Sequence, residues 1–421
     1  MAKSTFGTAF ICLLLSIARS SAQDAYAKQL LAKARELAQA KDFVGAIAHM
    51  IKASALEPRN DLYLAMISDF ELKAGKFTDG VAHAREAIRL NDKDGGYYVV
   101  AAANSYWDQD LDAARDYCDQ VLEKGPQVFG PRACQDARYL QDLMVKKQYT
   151  LFWNLDPKKG RMANGAFAVS MPRSGLPYQT VTYEIEGDRS HRLIKGEVND
   201  VLSVVPQGTQ TIALTVKVTT QPYSFKKELA QAVPKAPPAD SRAFLGAFLA
   251  VDPKSPTLKK VVAGLKEDDA RATVRNILAW LKKNIDYKLL QNDSIVEHDF
   301  KNVDEIVKRG HAECRGYALL FTALCRAADI PARPIWGLLR VPPGTDRKFG
   351  DIVSHNWAEV YISGSGWVPI DPQRPETLGF VPTNYLRFAV DSQKSQTSTE
   401  TVPVYNLMFM HGGKLKFEES R

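Results

Sequence analysis

The N-terminal part of the chain repeats itself with a period of 34 residues. When the sequence is aligned with itself at that offset, equivalent positions carry the same kind of residue. Some positions carry small residues, one carries larger apolar residues, and one marks the end of each repeat. The columns are Ala34, Ser68 and Ala102; Ala46, Gly80 and Ala114; Phe43, Phe77 and Leu111; Ala53, Ala87 and Val121; and Pro58, Asp92 and Pro126. Small residues at regular points allow helices to pack closely, and a breaker ends each copy. The period therefore predicts a stack of two-helix units.

This pattern resembles the tetratricopeptide repeat, in three copies followed by a capping helix within "PRACQDARYLQDLMVKK". Residues 24–148 are expected to form this helical repeat domain. The resemblance implies a groove for a protein partner, and a rigid spacer stays open as the alternative. His49, His83 and Tyr117 share one repeat position, so the two histidines are interpreted as repeat surface rather than metal ligands.

The segment before the repeats has the pattern of a secretory signal peptide over residues 1–22. Lys3 precedes the apolar run "AFICLLLSIA", and cleavage is expected after Ala22. The run is too short for a permanent membrane helix, and no integral membrane segment is expected in the mature chain. We therefore predict a secreted or periplasmic protein. The net charge of +7 is mild and its basic residues are scattered, which argues against nucleic acid as a partner.

Four cysteines remain after the predicted leader: Cys118, Cys134, Cys314 and Cys325. Cys118 and Cys134 lie on consecutive predicted helices, and in an oxidising compartment either a disulfide or two free thiols is compatible with the sequence. Cys314 and Cys325 lie on one predicted helix, roughly 16 Å apart along its axis at 1.5 Å per residue. Those two cannot bond to each other.

After the repeats the chain is expected to be multidomain, with three further segments. Residues 149–230 alternate with period two and predict a small all-β antiparallel domain with a structural role. Residues 231–242 are rich in Pro and Ala and predict a linker. Residues 243–395 mix helices and strands as an α+β domain, and residues 396–421 are expected to form a tail with a β-hairpin.

A predicted hairpin, "SHNWAEVYISGSGWVPID", places two chemically useful groups near each other. If the turn is Gly364-Ser365-Gly366, His355 and Asp371 lie within a residue or two of direct opposition. A carboxylate beside an imidazole fixes the tautomer and stabilises the imidazolium. Glu359 shares the face of His355, but we interpret it as a solvated strand residue.

A cysteine supplies the missing nucleophile. In "RGHAECRGYALLFTALCRAADIPARPIWG" an apolar stripe predicts a helix that ends before Pro331 and has Cys314 in or near its first turn. Unpaired amides and the helix dipole favour a thiolate there, and the amide of Cys314 can donate to an oxyanion. His311, three residues earlier, is a less favoured alternative base, and Trp280 is a weak candidate for a second oxyanion donor.

These two stretches resemble the transglutaminase-like superfamily over about Ala270 to Asp391. The resemblance implies a papain-like α+β core with Cys314 as nucleophile, His355 as general base and Asp371 as the orienting acid. Two departures stand out: Ala312 occupies a place where many members have Gly, and Asp329 must end its helix at a position that often needs positive φ.

The triad predicts a thiol enzyme, and we favour a peptidase or amidase that forms an acyl-enzyme on a protein or peptide substrate. Water and an amine use the same residues as acyl acceptors, so the residues do not distinguish hydrolysis from transfer. No cofactor or metal is expected, because no acidic cluster has the spacing of a calcium loop. The alternative is an inactive copy that works as an interaction module through its repeats.

Overall fold

The computed structural model describes residues 23–155, 167–186, 189–196, 198–207, 211–231, 236–248, 251–288, 302–341, 352–390 and 416–420. The chain divides into two compact units after Met144. The predicted signal peptide and residues 396–415 of the predicted tail lie outside the described residues. Across the described ranges, no helix combines the length and the apolar character needed to cross a membrane.

The first unit consists of consecutive helices. They are α1 (residues 23–39), α2 (Phe43–Leu56), α3 (Asp61–Ala74), α4 (Phe77–Leu90), α5 (Gly95–Trp107), α6 (Leu111–Lys124) and α7 (Pro126–Met144). The turn inside each helix pair repeats one backbone feature: Lys41, Gly75 and Gln109, 34 residues apart, have φ values of 63°, 80° and 65°. This left-handed conformation ends the first helix of each pair. The predicted repeat architecture is confirmed.

The small residues of the repeat columns lie where the helices touch. Ala34, Ser68 and Ala102 have no exposed surface. Ser68 Oγ donates to the Gly80 carbonyl over 2.7 Å, and the Asn104 amide donates to Ser68 Oγ over 3.1 Å. The buried hydroxyl and carbonyl are thereby satisfied across neighbouring helices, which a larger apolar residue at Ser68 would prevent.

The cysteines of the repeat unit are separate thiols. Cys118 and Cys134 are both buried and free. Cys134 Sγ lies 3.8 Å from the Val121 carbonyl oxygen. The sequence left open a disulfide or two free thiols, and the structure has two free thiols.

Every strand that the structure describes lies in the second unit. They are β1 (Lys147–Leu155), β2 (Phe167–Met171), β3 (Gln179–Glu186), β4 (Arg189–Lys195), β5 (Asp200–Pro206), β6 (Ile212–Thr220), β7 (Tyr223–Ser224), β8 (Asp286–Tyr287), β9 (His311–Ala312), β10 (Ala332–Arg340), β11 (Ile352–Ile362), β12 (Gly366–Ile370), β13 (Phe380–Val381), β14 (Tyr385–Val390) and β15 (Lys416–Ser420). Its helices are α8 (Lys226–Gln231), α9 (Ala239–Arg242), α10 (Pro256–Val262), α11 (Ala270–Asn284), α12 (Asp304–Arg309) and α13 (Cys314–Ala327).

The strand region that follows the repeats forms two sheets, with strand orders β15-β1-β6-β3 and β2-β5-β4. Its apolar side chains share one core with residues of two later strands, β10 and β14. That core includes Leu151, Leu214 and Val216 from the strand region and Trp336, Leu338, Leu386 and Phe388 from β10 and β14. The strand region and the later domain follow one another in sequence, and they share this hydrophobic core.

The sheet that holds the hairpin has the order β12-β11-β10-β14, and α13 packs against β10 and β11. Ile362 pairs with Gly366, so the turn is centred on Gly364, which has φ of 87°. The turn therefore begins one residue earlier than predicted. Continued along the same ladder, the register places Asp371 opposite Trp357, two residues from His355. The predicted proximity of the two site residues follows from this register.

Candidate active site

Cys314 is the first residue of α13 and is half-buried. The residue before it, Glu313, has extended backbone angles (φ −90°, ψ −175°), so the chain enters the helix through a sharp change of direction. The parallel pairing of β8 with β9 holds this approach, since Asp286 N donates to the Gly310 carbonyl over 2.8 Å. The first amides of a helix have no intrahelical acceptor. Cys314 thus begins a helix whose first amides can stabilise negative charge.

His355 and Asp371 lie in direct contact. The Nε2 atom of the imidazole is 2.8 Å from Oδ2 of the carboxylate. Both side chains are buried, with 9% and 1% of their surface exposed. The Cys314 thiol is close enough to the imidazole to favour its protonated form, and because Nε2 is engaged with Asp371, Nδ1 is the ring nitrogen left for it. The structure therefore brings Cys314, His355 and Asp371 together in that order.

Asp371 accepts hydrogen bonds on both carboxylate oxygens. Tyr385 donates its hydroxyl to Oδ2 over 2.8 Å, and the backbone amide of Gln373 donates to Oδ1 over 3.1 Å. The backbone amide of Asp371 in turn donates to the Thr377 hydroxyl over 2.8 Å. A carboxylate so surrounded by donors is held in one orientation and in its ionised form.

The titration properties of the pair follow from these contacts. Burial lowers the pKa of His355, but the charge and hydrogen bond of Asp371, together with the Cys314 thiol, raise it to about 10. Burial raises the pKa of Asp371, but the charge and hydrogen bond of His355 and the bond from Tyr385 hold it below its ordinary value. Burial, with Asp371 alongside, raises the pKa of Tyr385 well above its ordinary range. At neutral pH the tyrosine is a donor, the aspartate an anion and the imidazole a cation.

Aromatic rings enclose the imidazole. Trp357 lies nearly parallel to His355, with ring centres 6.1 Å apart and planes 28° apart. Tyr385 meets both rings edge-on, at 5.9 Å from His355 and 5.4 Å from Trp357. These contacts limit rotation of the imidazole and keep water from its Asp371 side.

Glu359 is not the solvated strand residue that the sequence indicated. It is 3% exposed, and its carboxylate joins two arginines. Arg333 Nη2 lies 2.7 Å from Oε2, and Arg387 donates from Nε to Oε1 over 2.8 Å. Burial raises the pKa of Glu359, but the two guanidinium charges lower it to about 2. The prediction was wrong because the two arginines that pair with Glu359 lie on other strands, 26 and 28 residues away in sequence.

The other candidate residues lie outside this arrangement. His311 Nδ1 lies 3.1 Å from the Arg309 carbonyl oxygen, on strand β9. Trp280 is partly buried and packs on the apolar core, in line with a packing role. Asp329, at the end of α13, has φ of 66°, as the sequence required in place of glycine. Among the described residues, no group of three or more His, Cys, Asp and Glu side chains could hold a metal ion.

Sequence reasoning missed Tyr385, Thr377 and the two arginines. None of them follows a motif or a spacing relative to Cys314 or His355. Tyr385 lies 14 residues beyond Asp371, at the start of a different strand. A single clue was available: β14 has apolar residues around Tyr385 and Arg387, and a charged residue in such a strand needs a buried partner.

Part of the second unit matches a known family. Residues 257–372 match the family model of the transglutaminase-like superfamily. This range contains Cys314, His355 and Asp371. The second unit therefore contains a transglutaminase-like domain.

Known proteins resemble the chain over parts of its length. An uncharacterized protein of Mycobacterium tuberculosis is 37% identical over 84 residues, which are 20% of this chain and 25% of that protein. The chain thus matches about a quarter of the length of this curated relative.

Among solved structures, a candidate cysteine protease from Cytophaga hutchinsonii is similar with a TM-score of 0.41 and 17% identity, over 66% of this chain and 89% of that one. The first TPR domain of human RPAP3 is similar with a TM-score of 0.26 and 21% identity, over 28% of this chain and 92% of that one. Both TM-scores lie below 0.5, and neither carries a conclusion about this chain.

Proposed function

We propose that this chain is a secreted or periplasmic thiol enzyme that cleaves or transfers amide bonds of a protein or peptide, with Cys314 as nucleophile, His355 as general acid and base, and Asp371 as the orienting carboxylate. The observation that supports the proposal most directly is the contact of His355 Nε2 with Asp371, in an imidazole whose protonated form is also favoured by the thiol at the start of α13. Each of the three side chains thereby has a neighbour suited to its role.

The reaction begins with attack of the Cys314 thiolate on the carbonyl carbon of an amide. A carbon–sulfur bond forms, and the carbonyl electrons move to oxygen, where the first amides of α13 can stabilise the charge. His355, protonated at neutral pH, gives its proton to the departing nitrogen as the carbon–nitrogen bond breaks. The thioester that remains is the acyl-enzyme.

The second half-reaction releases the acyl group. His355, now neutral, takes a proton from an incoming water or primary amine, whose oxygen or nitrogen attacks the thioester carbon. The carbon–sulfur bond breaks and the thiolate returns beside the imidazolium. Hydrolysis is our preferred outcome, and a lysine amine as acceptor would make the same chain an acyltransferase.

The helical repeats support a protein or peptide as the substrate. A stack of this kind offers an extended surface to a partner chain, and we propose that it binds the substrate or a protein that delivers it. No cofactor is required by the chemistry, because the thiolate, imidazole and carboxylate account for every proton transfer.

The test is the rate at which iodoacetamide labels Cys314 between pH 5 and 9, followed by mass spectrometry. A thiolate held by His355 should label fast near neutral pH, and His355→Ala should slow labelling at pH 6 by roughly tenfold or more. His311→Ala is the matched control and should leave the profile unchanged. Cys325, fully buried in the same helix and with its pKa raised by burial, is an internal reference that should stay unlabelled.

Amide and amine-acceptor peptides then distinguish hydrolysis from transfer, with Cys314→Ala as the inactive control. Labelling that rises only near the ordinary thiol pKa and is unchanged in His355→Ala would refute the proposed enzyme activity. The helical repeats would then be the functional part of the chain. In that case the interaction module would become the favoured function.

A further inference from the structure

We infer that Tyr385 is a positioning residue of this site, and that the strand region after the repeats holds it in place. The inference rests on the proposed function, since it concerns the same triad. Tyr385 is 5% exposed and donates its hydroxyl to Asp371 Oδ2, the oxygen that also contacts His355 Nε2. One carboxylate oxygen therefore joins the phenol and the imidazole.

This shared oxygen gives the hydroxyl a defined task. A donor on Oδ2 favours the anionic form of Asp371 in a site where burial alone would favour the neutral acid. It also fixes the direction in which Oδ2 faces the imidazole. If Asp371 were neutral, burial would favour the neutral form of His355, and a neutral imidazole is no counterion for a thiolate at Cys314.

Tyr385 lies on β14, the edge strand of its sheet. Side-chain amides, instead of a neighbouring strand, form hydrogen bonds with the outer edge of β14. The side-chain amide of Gln179 accepts from the Arg387 amide over 2.8 Å and donates to the Arg387 carbonyl over 2.7 Å. Asn199 makes the same two contacts with Val390, at 2.6 and 2.7 Å. Both amides are buried and replace the hydrogen bonds of a missing neighbouring strand.

The turn just before Tyr385 is anchored by the same region. The Thr220 hydroxyl donates to the Thr383 carbonyl over 2.6 Å, and the Tyr149 hydroxyl donates to it over 3.1 Å. These contacts and the amide pairs of Gln179 and Asn199 lie on either side of Tyr385 along the chain. A region that looked purely structural in the sequence thus fixes the position of a residue in contact with the triad.

The experiment compares iodoacetamide labelling of Cys314 in the full chain and in Tyr385→Phe, from pH 3.5 to 9. Phenylalanine keeps the ring contacts and removes only the hydroxyl. Asp371 should then protonate at higher pH, so the acid limb of the labelling profile should move up by about half a pH unit or more, which is roughly a threefold loss of rate on that limb. The basic limb of labelling should keep its dependence on His355.

Tyr97→Phe is the matched control, because it removes a tyrosine hydroxyl that donates to Asp61 over 2.9 Å in the repeat unit. It should leave the labelling profile of Cys314 unchanged. Urea unfolding of both variants shows whether each is folded. Should Tyr385→Phe not fold, 3-fluorotyrosine at position 385 serves instead: as a stronger donor of similar size, it should move the acid limb to lower pH.

The outcomes distinguish failure of the role of Tyr385 from failure of the proposed enzyme function. An unchanged acid limb in Tyr385→Phe or in the fluorotyrosine protein, with wild-type labelling that depends on His355, overturns the role of Tyr385 and leaves the proposed function intact. Wild-type labelling that does not depend on His355 overturns the proposed function, and the role of Tyr385 with it.

Discussion

Gly337 lies directly opposite His355 in the ladder between β10 and β11. A Cβ atom at position 337 would overlap the Trp357 ring and the Leu386 carbonyl oxygen. The missing side chain therefore leaves room for Trp357 to cross β10, cover the imidazole and reach Tyr385. The glycine is required by this close approach rather than by its backbone angles.

Gly337→Ala should accordingly displace Trp357 and loosen His355. We expect a loss of about 1–3 kcal/mol in the free energy of unfolding, typical of overpacking, and a slower, less His355-dependent labelling of Cys314. Urea unfolding and the labelling profile measure the two effects. Gly264→Ala is the control, since a Cβ there meets no atom within 4 Å. Equal behaviour of the two variants would contradict the role of the glycine.

The imidazole of His355 should titrate well above the ordinary range of a histidine. Its pKa is raised to about 10, so the imidazole should remain charged at pH 8. Because this pKa exceeds the unfolded value near 6.5, the stability gained from the pair is complete below about pH 6.5 and is lost as the pH rises through about 10.

NMR titration of the imidazole signals measures this directly. Cys314→Ala should lower the pKa of His355, because it removes the thiol that helps to hold the proton. Cys325→Ala, which deletes a thiol farther along the same helix, should not. A His355 signal that titrates near 6.5 in the wild-type protein would contradict the ion pair.

Glu359→Ala should destabilise the second unit strongly, because Arg333 and Arg387 would keep their charges in a buried place without an acceptor. Removing one member of a buried ion pair typically costs about 3–5 kcal/mol, although the intact pair is not itself evidence of net stabilisation. Urea unfolding followed by tryptophan fluorescence is a suitable measurement.

The control for Glu359 is Glu184→Ala, which breaks an exposed pair with Lys217 at 3.6 Å. Such surface pairs contribute about 0–1 kcal/mol. The pKa of Glu359 is lowered to about 2, so its stabilising effect is present above its ordinary pKa and is lost as the pH falls toward 2. Similar losses in the two variants would refute the buried network.

The repeat unit should depend on pH through His83. Its Nδ1 lies 2.8 Å from Oε2 of Glu71, which is 3% exposed, and this hydrogen bond raises the pKa of His83. The pair should stabilise the repeats by about 1 kcal/mol when His83 is charged, with the effect complete below about pH 6.5 and lost as the pH rises through the raised pKa.

Thermal unfolding at pH 5.5 and 8.5 tests this, with His83→Ala losing more stability at the lower pH. His49→Ala is the control from the same repeat position, where the ring lies 2.9 Å from the Gly45 carbonyl oxygen instead of a carboxylate. A destabilisation by His83→Ala that is the same at both pH values would contradict the ion pair.

The parts of this protein that could be predicted from its sequence are those whose physics is local. The repeat follows from small residues at a fixed period, because two neighbouring helices of one unit contact each other at that spacing. The start of α13 at Cys314 follows from an apolar stripe between a glycine and a proline. His355 and Asp371 meet because a short turn sets the register of one hairpin, so their proximity needs no distant segment.

The surroundings of the triad depend on how distant segments pack in the folded chain. Tyr385 reaches Asp371 from a separate strand, Glu359 is buried by two arginines of other strands, and Gln179 holds Arg387 across 208 residues of chain. No periodicity or short spacing links such partners, because each depends on which buried edges and faces meet when the whole unit packs. The burial of Glu359 and the part that the strand region plays beside the site are therefore properties of the folded protein.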